Sequence, residues 1–315
     1  MSTQEFILII KLGALGDFII ATSAFAAIRH YHPYAHIVLL TTKPYVELAE
    51  KTGYFDEVWM DARPPLWQLP ALWKTIHLLR GGDKIPHFKR IYDLQANDRT
   101  AFYFWCLGWS KPQWVGKVQG CSHPRLIPDG QRHVYDIFLD HLTRIGFPSV
   151  PLPDVSWLDD DISSLNLPDK FLVLVPGASP RRPKKRWTAV AYAEIIRHYH
   201  KQGISSVIVG GTTEVEFAQQ IESLVKEGSL MNAVGKTSLG MIAALGRKAV
   251  YAIGSDTGPM HIIAAAGCPV LVLFSCDSDP KLHGPRGEKV QTLQVDDLRL
   301  LEVHKVLAKA ASVQV

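Results

Sequence analysis

Ala249-Val250-Tyr251-Ala252-Ile253-Gly254-Ser255-Asp256-Thr257-Gly258-Pro259-Met260-His261, continuing into Ile262-Ile263-Ala264-Ala265-Ala266, is the stretch on which the fold turns. A short apolar run gives way to small polar residues and then to a helix-prone run, which reads as strand, turn, helix. That order puts Asp, Thr, Gly and His at the carboxyl end of a strand, the edge of an open α/β sheet where ligands bind. A helix opening there offers free N–H groups and partial positive charge to an anion such as phosphate. Asp256 and Thr257 suit helix caps, Gly258 permits close backbone approach, and Pro259 suits the first helical turn. The same residues also describe a capped helix with no ligand, so the rest of the chain decides.

Working outward, 315 residues are enough for two domains, each with its own core. A content of 47% hydrophobic and 20% charged residues is ordinary for a soluble globular protein. The net charge of +4 favours anionic ligands or an anionic membrane face and is too small to argue for nucleic acid. No zinc spacing, helix-turn-helix signature or basic arm accompanies it. Cys106, Cys121, Cys268 and Cys276 form no C-x-x-C pair and read as reduced thiols of a cytosolic protein. The apolar stretch 6–28 is broken by Lys11 and Asp17, with Gly13 and Gly16 between them. It therefore predicts strand, turn and helix rather than a targeting or membrane segment. Asp256 and His261 break 249–274 in the same way.

Apolar runs and turn residues predict a strand over 6–11, a helix over 17–31, a strand over 36–41, a helix over 45–51 and strands over 57–60 and 90–95. A helix over 135–145 follows, closed by Gly146. Pro- and Asp-rich residues 146–170 read as a linker, giving domains of 1–155 and 156–295. The second series has strands over 171–175, 205–210, 231–234, 249–253 and 270–274. Its helices lie over 188–201, 214–227 and 239–245, and an amphipathic tail runs over 296–311. Alternation of this kind implies parallel sheets covered by helices, hence an α/β protein of two Rossmann-like halves facing each other across a cleft.

Several strand ends carry chemistry. Lys11-Leu12-Gly13-Ala14-Leu15-Gly16-Asp17 is neither a dinucleotide fingerprint nor a P-loop. What it offers is the carboxylate of Asp17, read either as a helix cap or as a general base for an acceptor hydroxyl. Val175-Pro176-Gly177-Ala178-Ser179 leads into Pro180-Arg181-Arg182-Pro183-Lys184-Lys185-Arg186-Trp187, a solvated basic loop or a phosphate contact. Gly210-Gly211-Thr212-Thr213-Glu214 presents a carboxylate to ribose hydroxyls or to its own helix dipole. Gly235-Lys236-Thr237-Ser238-Leu239 reads first as a capped helix start. Polar groups also leave a strand end at 91–99, and Lys117, His123, Arg125 and Arg132 add charge nearby. Residues 67–79, with Leu69, Leu72, Trp73, Lys74 and Ile76, predict a helix packed on the sheet or a patch touching lipid. Asp256 and His261 alone do not make a metal site, and none is expected.

In their order and spacing these segments resemble glycosyltransferase family 9, the heptosyltransferases of lipopolysaccharide core assembly, from Phe6 to about Gly287. The resemblance implies a GT-B fold whose last helix, about 296–315, crosses back to the first domain. It implies inverting, metal-independent transfer of a sugar from a nucleotide diphosphate, ADP-L-glycero-D-manno-heptose by default, to a lipid-linked glycan acceptor. The setting it implies is cytoplasmic, with peripheral contact at the inner face of the membrane. Asp17 matches the family's proposed base, Lys185 the lysine on the donor phosphates, Glu214 the acid near the ribose and Thr237 the residue against the nucleoside. Asp256, Thr257, Gly258 and His261 match the donor turn. Gly16, Asn97, Arg99 and Arg125 are the acceptor-side candidates. A sugar-nucleotide epimerase or hydrolase, and a non-catalytic nucleotide-sugar-binding protein, remain open beside the transferase.

Overall fold

The computed structural model describes residues 4–312 apart from Leu66, Ser110, Ile127, Asp129, Gln131 and 178–181. The chain divides into two units, Met1–Pro151 and Leu152–Val315. The first runs β1 (Phe6–Ile10), α1 (Leu15–Tyr31), β2 (His36–Thr41), α2 (Val46–Lys51), β3 (Glu57–Met60) and α3 (Leu69–Leu79). It continues through β4 (Arg90–Asp93), α4 (Asp98–Cys106), β5 (Gln113–Gly116), β6 (His123–Pro124) and α5 (Val134–Arg144). The second runs β7 (Phe171–Val175), α6 (Ala189–His200), β8 (Ser205–Ile208), α7 (Val215–Ser223), β9 (Leu230–Asn232) and α8 (Leu239–Lys248). It ends with β10 (Tyr251–Ser255), α9 (Gly258–Ala265), β11 (Val270–Phe274), α10 (Pro280–His283), β12 (Val290–Gln294) and α11 (Val303–Ala311).

Each unit is one six-stranded sheet, ordered β3-β2-β1-β4-β5-β6 in the first and β12-β11-β10-β7-β8-β9 in the second. Every neighbouring pair is parallel. Read from the opposite edge, the second order repeats the first, so both units are doubly wound α/β sheets of Rossmann type. Their topological switch points lie between β1 and β4 and between β7 and β10. Central strands covered on both faces need continuous apolar runs, and Phe171–Val175 and Val270–Phe274 are buried throughout.

One expectation is corrected. Residues 152–162 are part of the second unit rather than a free linker. The Arg247 guanidinium donates to the Leu158 carbonyl at 2.8 Å and pairs with Asp159, while Val155, Leu158 and Ile162 are buried. The final helix buries its apolar face in the second unit. Val306 and Ala310 sit in the second core with Tyr192 and Ile195, and the Trp187 indole donates to the Leu301 carbonyl at 2.8 Å. A buried indole N–H needs an acceptor, and that bond pins the tail where α6 begins.

Candidate active site

In the second unit, β10 ends beside the switch point and the chain turns into α9. Gly254 is required there by close approach: a Cβ would lie 2.6 Å from Val175 Cβ and 2.8 Å from Met260 Sδ. Thr257 stands at the N-cap position with extended backbone, and Gly258 and Pro259 open the helix. Neither expected side-chain cap forms. The Thr257 hydroxyl donates to the Ser255 carbonyl at 3.2 Å, and the Asp256 carboxylate is taken by a cation. No side chain caps α9; Pro259 has no N–H and the Met260 N–H donates to the Thr257 carbonyl at 3.1 Å, which leaves the Gly258 N–H foremost at the helix start.

That cation is Lys185. Its Nζ lies 2.6 Å from Asp256 Oδ2, and both side chains are about nine-tenths buried. His261 Nε2 stands 3.9 Å from the other oxygen, Oδ1. Burial alone would raise the Asp256 pKa, but contacts from His261, Lys185 and Ser278 outweigh it and hold the carboxyl well below the usual range. His261 is itself buried, and its Nδ1 has no hydrogen-bond partner among the described residues. Buried polar atoms are normally satisfied, so an open imidazole nitrogen beside an uncapped helix start marks a place shaped for a polar ligand.

Around this cluster the remaining motifs divide. Gly177 ends β7 against Glu214, whose side chain would lie 3.6 Å from a Cβ there, while Ala178, Ser179, Pro180 and Arg181 lie outside the described residues. Glu214 Oε2 accepts from the Gly211 N–H at 2.8 Å and Oε1 from the Thr213 hydroxyl at 2.7 Å, so the carboxylate currently closes its own turn. Ser238 caps α8 by accepting from the Met241 N–H at 3.0 Å. Thr237, one residue earlier, keeps a buried hydroxyl with no partner among the described residues.

In the first unit, Gly13 makes the turn after β1 with φ of 125°, which a side chain would strain. Asp17 was expected to begin a helix. It falls instead on the third residue of α1, whose N-cap is Ala14, and makes no cap; it is partly exposed, with Gly16 before it. Three groups missed from the sequence surround this turn. Lys11 is buried at the end of β1. Burial lowers its pKa, and the nearby Asp17 and Asp93 carboxylates oppose that shift. Asp93 is buried at the end of β4, where burial pushes it up to about 6 against hydrogen bonds from Ala96, Thr100 and Gln95. Gln95 Oε1 accepts from the Leu12 N–H at 2.9 Å and ties the two strand ends across the switch point. The signal for all three was position: polar residues following the two strands that flank the switch point.

The acceptor-side candidates are more committed to structure. Asn97 and Thr100 form a capping box for α4. The Arg99 guanidinium donates to the Pro64 carbonyl at 3.0 Å and the Tyr103 hydroxyl at 3.1 Å. Arg125 lines a small internal cavity with Asp93, Gly116 and His141.

The donor set around α9, an ammonium and backbone N–H groups with the one carboxylate already ion-paired, suits an anion. The family model for glycosyltransferase family 9 (heptosyltransferase) matches residues 150–309. The lipopolysaccharide core heptosyltransferase OpsX of Haemophilus influenzae is 23% identical over 282 residues, covering 85% of this chain and 78% of its own. Among solved structures, the glycosyl transferase family 9 protein from Veillonella parvula superposes with a TM-score of 0.83 at 20% identity, covering 100% of this chain and 98% of its own. The E. coli heptosyltransferase WaaC with ADP gives 0.72 at 17% identity, covering 98% and 99%. These neighbours share the α/β fold, of GT-B class. The family match extends over more than half of the sequence, and this chain belongs to glycosyltransferase family 9, the heptosyltransferase family.

Proposed function

We propose that the protein transfers a heptose, or a related sugar, from an ADP-linked donor to a lipid-linked glycan acceptor of the lipopolysaccharide core type, with inversion and without a metal. The observation that carries this reading is the buried Lys185–Asp256–His261 cluster at the open N-terminus of α9. Asp17 accepts the proton of the acceptor hydroxyl as that oxygen bonds to the anomeric carbon. The anomeric carbon–phosphate oxygen bond breaks, and the diphosphate departs with the electron pair. Lys185 and the α9 N–H groups receive the charge developing on the diphosphate, the task a metal would otherwise perform. In the free protein Lys185 is held by Asp256, so donor binding exchanges a carboxylate for a diphosphate at the same ammonium. Asp256, released, is then available to sugar hydroxyls, with His261 beside it. Glu214 and Thr237 serve the ribose and the nucleoside.

Asp17→Asn tests the assignment. Turnover with ADP-heptose and acceptor should fall about a hundred- to ten-thousandfold, the usual worth of a general base, while ADP affinity stays unchanged. Full activity in that variant would remove Asp17 as base. Conversion of ADP-heptose at equal rate with and without acceptor would replace transfer by an epimerase or hydrolase reading.

A further inference from the structure

Eight tryptophans occur in the chain, and four of them, Trp67, Trp73, Trp105 and Trp109, are exposed, all in the first unit. Trp73 is 62% exposed and Trp109 wholly so, whereas Trp114 and Trp187 are completely buried. Helix α3 explains how this arises. Leu72, Thr75, Ile76 and Leu79 bury one face, leaving Leu69 and Trp73 on the other. The buried face meets the expectation of a packed helix, and the other face is exposed. The outer face meets α4 in an apolar groove lined by Leu69, Leu72, Trp73, Ile76, Phe102 and Cys106.

Positive charge predominates around the groove, although Asp83 pairs with His77 of α3. Residues 62–82 and 99–128 contain no Asp or Glu, yet they carry Lys74, Arg80 and Lys111. Lys111 Nζ stands 3.8 Å over the Phe104 ring and 4.7 Å from that of Trp105, and Arg80 reaches the Cys106 carbonyl at 3.4 Å. None of these three cations has a carboxylate partner among the described residues. Indole rings favour the boundary between hydrocarbon and water, and lysine and arginine near it attract lipid phosphates. No helix among the described residues is long and apolar enough to cross a membrane, so any engagement of lipid by these helices is at the surface.

We infer that the outer face of α3 and the C-terminal end of α4 dock on an anionic phospholipid bilayer. Trp67, Trp73, Trp105 and Trp109 seat at headgroup depth, and Lys74, Arg80 and Lys111 pair with lipid phosphates. This deepens the proposed reaction by naming the surface that meets the bilayer carrying its acceptor. It rests on that reading for its purpose, while the binding itself requires no sugar chemistry.

Sedimentation with phosphatidylcholine vesicles, with and without phosphatidylglycerol and in the absence of nucleotide sugar, tests it. Wild-type protein should bind the anionic vesicles on the order of tenfold better than the neutral ones. Trp73→Ser with Trp109→Ser should weaken binding to both by about tenfold. Lys74→Gln with Arg80→Gln and Lys111→Gln should abolish the preference for phosphatidylglycerol. Both variants should keep the wild-type melting temperature and wild-type turnover on a water-soluble acceptor fragment. Equal sedimentation of wild type and the tryptophan variant overturns the inference. So does a change in self-association without a change in lipid binding, which would make this face a contact between copies of the chain. A protein that docks on vesicles but transfers no sugar sinks the proposed reaction and leaves the docking surface standing.

Discussion

The two sheets share one strand order, yet the carboxylates beside their switch points are treated in opposite ways. Asp93 ends β4 and Asp256 follows β10, the fourth strand of each unit. Each has a buried lysine near it, Lys11 after β1 and Lys185 after β7. In the second unit the ammonium reaches the carboxylate directly and holds it ionised. In the first no such contact forms, and burial raises Asp93 to about 6. The same scaffold thus builds a direct buried ion pair in one unit and a proton-sensitive pair of strand ends in the other. Which outcome results depends on one lysine's reach rather than on topology.

The largest expected effect comes from breaking the direct pair. Lys185→Met strands a buried carboxylate and should cost about 3–5 kcal/mol in chemical denaturation, besides weakening ADP binding in calorimetry. Lys11→Met, which removes a buried cation with no direct partner, should cost far less. Equal losses would erase the contrast between the units. Next come the pH profiles, whose signs oppose. Asp93 titrates above its unfolded value, so the folded protein binds the extra proton. Stability should fall by as much as about 3 kcal/mol as pH rises from about 4 to about 6. Asp93→Asn should flatten thermal melts across that window, and an unchanged slope would place the pH dependence elsewhere. Asp256 titrates below its unfolded value, so its contribution is complete above about pH 4 and is lost only on further acidification. A smaller effect concerns the exchange at Lys185. ADP lacks the transferred sugar, so a carboxylate serving only that sugar would leave ADP binding untouched. Asp256→Asn should instead free the ammonium and strengthen ADP binding several-fold, read as a larger ADP-induced rise in melting temperature. The smallest is Asn97→Ala, which should cost about 1 kcal/mol through the lost α4 cap and leave turnover intact. A fall in turnover at unchanged stability would return Asn97 to the acceptor.

The architecture was legible because the central strands are covered on both faces and so read as unbroken apolar runs, as at 171–175 and 270–274. Edge elements escaped. β12 is only partly buried and alternates Val-Gln-Thr-Leu-Gln, and β6 has two residues. Helix α4 was hidden because 91–99 read as a polar strand end, when Asn97 in fact starts a helix. In the candidate site, the turn at 254–261 and Asp17 could be singled out from their position after strands. Pairings could not. Lys185 and Asp256 are 71 residues apart, and Leu12 and Gln95 are 83 apart. Lys11 was read only as a break in an apolar run, since burial of a charge beside two carboxylates is a property of the folded state.

Gly254 carries a consequence for the thermodynamics of the donor turn. With no side chain there, Met260 and Val175 close directly over the strand, while a Cβ at Gly246 would stand 3.2 Å from Ile263 Cα, so its absence lets α8 pack closely on α9. Helix α9 is wedged between a strand and a neighbouring helix with no slack to take up. A ligand arriving at its first turn therefore meets amides already immobilised, and little ordering entropy is lost on binding. Hydrogen exchange over 260–265 should be slow before any nucleotide is added and scarcely slower afterwards. In the proposed reading, affinity there is governed by electrostatic exchange at Lys185, against a framework as stiff empty as occupied.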